Sequence, residues 1–145
     1  MPESHDLIDR AVKSASQVFR SRATHPTDMT LTYDGWVQSY FARKPREGRD
    51  RDTDAMHAET IAAKAVKECC PVEAAWAARY AAHAAWAAMA ADSQRSAAAR
   101  TSVEFHKRDA LEQASALEGQ AVEFATEALA YAAEAADKLG QQLAA

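Results

Sequence analysis

The sequence predicts an all-α fold: one domain of about five helices, the last two a long alanine-rich antiparallel pair. Two observations carry this expectation. Alanine fills 37 of 145 positions, whereas glycine and proline occur four times each. Alanine loses no side-chain entropy in a helix and packs poorly on a pleated surface, so this composition favours helix over sheet. Apolar residues also recur at helical spacing, between residues that start or stop helices.

The first helix is expected over about 5–21, capped by Ser4. Leu7, Ile8, Ala11, Val12, Ala15, Val18 and Phe19 form one apolar stripe. "RATHPTDMTLT" reads as a connection, because Pro26 disfavours helical backbone at His25. A second, short helix follows with Asp34 as its cap and Trp36, Val37, Tyr40 and Phe41 on one side. The mixed-charge stretch "KPREGRDRDTD" then predicts a mobile loop over 43–54. It separates the N-terminal helices (1–54) from an alanine-rich core (55–145).

Thr53 or Asp54 caps the third helix, whose inner face is Ala58, Ile61, Ala62, Ala65, Val66 and Cys69. His57, Thr60, Lys64 and Lys67 fall opposite. Pro71 suits the first position of a fourth helix through Ala91, where its missing N–H is harmless. "TSVE" at 101–104 has the form of a capping box, so the last helix should start near Ser102 and stop at Gly140. Gly119 is expected to kink or divide it.

The fourth helix has two unlike faces. On a helical wheel Ala74, Ala77, Ala78, Ala81, Ala84, Ala85 and Ala88 fill an arc of about 120°. Every larger side chain lies outside that arc. The last helix carries a matching row of Val103, Ala110, Ala114, Ala121, Ala128, Ala132 and Leu139. Two such faces allow axes to approach to about 8 Å, which predicts an antiparallel pair joined through alanine. The bulky arc then needs its own cover. The N-terminal helices are expected to supply it, with a second copy of the chain in a homodimer completing what they leave open.

Charge and motifs exclude several classes. The net charge of −4 gives no basic footprint for nucleic acid, and in the 43–54 loop acidic residues nearly cancel the basic ones. From Asp109 to Asp137 there are seven acidic residues and no basic one, so the last helix presents an acidic outer face. "MPESHDLIDR" lacks the features of a signal peptide, and Glu73, Arg79 and His83 interrupt the one stretch long enough to span a membrane. Cys69 and Cys70 are adjacent, which strains a mutual disulfide, so free thiols in a reducing cytoplasm are expected.

The residues with chemistry cluster on the bulky arc. Arg79 and His83 lie one turn apart among Trp76, Tyr80 and Trp86, with Glu73 near one end. A histidine there can act as general acid or base, and an arginine can hold an anionic group. His106 borders the apolar face of the last helix. Glu118 falls among apolar positions and should seek Arg79 or a histidine. No cofactor or metal is expected. No Glu-x-x-His, H-E-x-x-H, phosphate loop or nucleophile elbow occurs. His57-Ala58-Glu59 with adjacent Cys69 and Cys70 also lacks the spaced cysteines of zinc deaminases.

Two functions therefore stand. One is a cytoplasmic binding protein that uses Trp76, Trp86, His106 and Glu118 on a peptide, protein or small ligand. The other is a cofactor-independent enzyme with His83 as acid/base, Arg79 orienting an anion, and Tyr80 or Glu73 assisting.

Overall fold

The computed structural model describes residues 2–21, 27–43, 50–69 and 71–144. Its five helices are α1 (Pro2–Ser21), α2 (Thr27–Ala42), α3 (Arg51–Ala65), α4 (Val72–Arg100) and α5 (Glu104–Ala144). There is no strand among the described residues. The most extensive packing joins α4 to α5, then α3 to α4; α1 lies against both α4 and α5. The three-residue connection 101–103 forces α5 back along α4. Arg95 pairs with Glu118 near one end of that hairpin, and Lys138 with Glu73 near the other, which marks the antiparallel register.

The alanine faces pack as their periodicity predicts. Ala74, Ala77, Ala78, Ala81, Ala84 and Ala85 on α4 are fully buried, as are Ala121, Ala125 and Ala128 on α5. Along the α5 row Ala114, Ala121, Ala128 and Ala132 are buried, whereas Ala110 and Leu139 are only partly covered. Val103 remains 48% exposed at the hairpin tip, ahead of the helix.

What covers which face differs from expectation. Buried alanines wrap most of α4, since Ala75, Ala82 and Ala87 are also closed. The N-terminal helices pack on this small-residue side and not on the bulky arc. Their large side chains (Ile8, Val12, Phe19, Tyr33 and Trp36) are almost fully buried and fill the volume that alanine leaves empty. Phe19, Tyr33 and Trp36 stack edge to face, with centroids 5.0 and 5.3 Å apart. The Tyr33 hydroxyl donates to the Ala78 carbonyl at 2.8 Å, pinning α2 to the N-terminal part of α4. Burial and the neighbouring Asp34 charge push that phenol far above its ordinary pKa. Tyr40 donates to Asp9 at 2.6 Å and ties α2 to α1.

Several boundaries also move. α2 begins at Thr27, seven residues before the predicted Asp34 cap, directly after Pro26. α3 begins at Arg51, with Asp50 in the extended N-cap position, so 51–54 are helical; Asp54 is buried within the first turn. The rest of the predicted loop, 44–49, the connection 22–26, the Ser4 cap side chain and Cys70 lie outside the described residues. α4 continues to Arg100, nine residues past Ala91. The capping box does not form: Thr101 Oγ1 accepts from the Val103 N–H at 3.3 Å, and α5 starts at Glu104. α5 then runs unbroken through both Gly119 and Gly140. One glycine destabilises a helix by only about 1 kcal/mol, which the packed hairpin absorbs.

Candidate functional site

The bulky arc of α4 faces outward, between α3 on one flank and α5 on the other. Helical periodicity puts Trp76, Arg79, Tyr80, His83 and Trp86 there because the opposite side is committed to alanine. All five side chains are partly exposed. They meet Phe124 and Tyr131 from α5 and Glu59 from α3.

Toward α5 the rings form a ladder. Trp76 stacks on Tyr80 at 5.8 Å, and Tyr80 stacks on both Tyr131 at 5.6 Å and Phe124 at 5.5 Å. Their planes lie within 20° of parallel in each case. Trp76 also stacks on Tyr131, and its face carries the Arg79 guanidinium, 5.3 Å from the ring centroid. Beside this ladder, Tyr80, Glu127, Ala130, Tyr131 and Glu134 enclose a shallow depression of about 390 Å³. Neither Glu127 nor Glu134 has a protein partner among the described residues.

Toward α3, His83 Nδ1 lies 3.0 Å from Glu59 Oε1. A carboxylate accepts, so in this contact Nδ1 is the donor and Nε2 is turned away from Glu59. The imidazole is held between Phe124, 4.2 Å away by centroid, and Trp86 at 5.5 Å. The pair has the parts of an acid–base dyad: a carboxylate orienting an imidazole.

The predicted site residues therefore separate. Trp76, Arg79, Tyr80, His83 and Trp86 share one surface. Glu73, at the start of α4, turns to Lys138 of α5, whose hydrogen bond holds its carboxyl below the ordinary glutamate pKa against the opposing effect of burial. Its second oxygen, Oε1, is buried with no hydrogen-bond partner. Glu118 takes Arg95 as partner in place of Arg79. His106 is exposed at the hairpin tip beside Phe105, 5.9 Å away by ring centroid, and does not join His83.

Glu59 is the residue that periodicity overlooked. It sits on the flank of α3, between the inner row Ala58–Ala62 and the outer row Thr60–Lys64, where a carboxylate reaches across to the neighbouring helix. Among the described residues no three His, Cys, Asp or Glu side chains are grouped to hold a metal ion, and no helix is long and apolar enough to cross a membrane. No protein-family model, curated protein or solved structure matches the chain, so a functional reading has to be built from these side chains.

Proposed function

We propose that the chain is a cytoplasmic binding protein that receives a basic segment of a partner protein along the α4–α5 seam. The observation that supports this is the half-exposed ladder of Trp76, Tyr80, Tyr131 and Phe124 beside the unpaired Glu127 and Glu134. Ring faces attract lysine or arginine head groups, and adjacent carboxylates supply charge-assisted hydrogen bonds. The acidic run from Asp109 to Asp137 extends the same field along α5 and would steer a basic partner inward. Self-association as a dimer belongs to the same reading, with Phe105, 64% exposed, as its apolar contact.

Calorimetric titration with an arginine-rich amphipathic peptide, and with its glutamate-substituted counterpart, tests this. The basic peptide should bind, and more weakly at high salt. Tyr131→Ala and the Glu127→Gln/Glu134→Gln pair should each weaken it about tenfold, the equivalent of about 1.4 kcal/mol. Equal affinity for the acidic peptide, or indifference to Tyr131→Ala, would refute the reading.

The Glu59–His83 pair favours one alternative, a small enzyme in which His83 moves a proton for an anion held by Arg79. His83→Ala and Glu59→Gln would then abolish turnover in variants that stay folded, yet leave the basic peptide bound.

A further inference from the structure

The other flank of the outward face carries a second groove, about 610 Å³, between α3 and α4. Met29 of α2 and Met56 of α3 supply its apolar surface, and Lys64, Lys67 and Arg79 supply cations. Arg79 is the informative residue. The residue is half-buried, its guanidinium rests on the Trp76 ring, and it has neither a carboxylate partner nor a hydrogen-bond acceptor among the described residues. Withdrawing a guanidinium from water without a counterion is unfavourable, and an aromatic face offsets only part of that.

Around it the balance of charge is positive. Lys64 and Lys67 are exposed and unpaired. Glu59 lines the groove, but its Oε1 is engaged by His83, which leaves Glu68 as the one lining carboxylate without a partner. Three cations thus face two carboxylates, one of them already engaged by His83, so the lining carries a net positive charge. Beside them Met56 is 52% exposed, a large apolar side chain held at the surface. Methionine is flexible and polarizable and adapts to apolar groups of varied shape.

We propose that this groove binds a small amphipathic anion. Its carboxylate or phosphate would sit on Arg79, supported by Lys64 and Lys67, and its apolar chain against Met29 and Met56. A guanidinium suits either oxyanion because its paired N–H donors match two oxygens at once. The volume lies within the range of small-molecule sites, roughly 300–1,000 Å³. The groove lies on the α3 side of Arg79, adjoining the seam through the Trp76 ring, and does not depend on a basic partner at the seam.

Calorimetry with octyl phosphate and octanoate below their micellar concentrations tests the proposal on the full chain, with octyltrimethylammonium, inorganic phosphate and anionic vesicles of phosphatidylcholine and phosphatidylglycerol as further probes. Both octyl anions should bind one per chain, at least tenfold tighter than inorganic phosphate and than octyltrimethylammonium. Arg79→Gln should weaken octyl phosphate at least tenfold, and Arg79→Lys, which keeps the charge but loses the paired donors, by less. Lys64→Gln with Lys67→Gln, at exposed and unpaired positions, should weaken it about threefold, and Met56→Ser likewise. Equal binding of the octyl cation would overturn the proposal. So would unchanged affinity in both the Arg79→Gln and the double-lysine variants, or capture by anionic vesicles without binding of the monomeric anions.

Discussion

Replacing Ala81 by leucine probes the close packing around the alanine face of α4. Ala81 is 0% exposed, near the middle of the buried α4 face. Three additional carbon atoms there have no void to enter, so α4 must move from its neighbours or the leucine must leave its preferred rotamers. Overpacking of this kind destabilises by about 1–3 kcal/mol. For 145 residues, an unfolding entropy of about 2.1 cal/mol/K per residue gives about 0.3 kcal/mol/K, so the melting temperature should fall by about 3–10 °C. Thermal unfolding followed by circular dichroism measures this directly. Ala133→Leu, exposed on α5, serves as the control and should melt within about 1 °C of the parent. If Ala81→Leu melts with the parent as well, the close small-residue contact does not exist and the packing argument fails.

Other expectations follow from the same geometry. Tyr33→Phe removes the buried hydroxyl bonded to the Ala78 carbonyl and should lower stability by about 0.5–1.5 kcal/mol in urea unfolding; no change would mean that α2 is not pinned there. Gly119→Ala should stabilise by about 0.5–1 kcal/mol, because a Cβ at this helical position meets nothing within 4 Å; a loss on calorimetry would contradict the unbroken helix. Glu73 carries a pH dependence of known sign. Its carboxyl is lowered by Lys138, so its contribution to stability is fully present above the ordinary glutamate value of about 4.3 and disappears as pH falls through the lowered one. Denaturation between pH 7 and pH 3 should therefore show a shallower acid loss in Glu73→Gln than in the parent, and parallel curves would remove the pair from the account.

Helical class, the two faces of α4 and the direction of the hairpin were legible in the chain. Each follows from local signals: propensity, a period of 3.6 residues, and alanine rows on α4 and α5 that match each other. Helix ends were less legible where packing overrides a local signal. The helix continues through Gly119 and Gly140 because hairpin packing outweighs one residue's preference, and Asp54 enters the core instead of capping α3. The candidate site was legible as a list of residues on α4 and incomplete as a constellation. Trp76, Arg79, Tyr80, His83 and Trp86 share a surface because one helix places them there. Glu59, Phe124 and Tyr131, which give that surface its dyad and its ladder, arrive from other helices.

Composition and periodicity thus make the chain helical and give α4 a small side and a bulky side. What each side meets depends on how the five helices pack. A face of alanines accepts another alanine face at close range, and equally the large side chains of α1 and α2, because both fill space at native density. Periodicity says which residues share a face but not which neighbour covers it. That choice sent the N-terminal helices to the alanine side and left the aromatic arc open, with Arg79 and His83 at the surface.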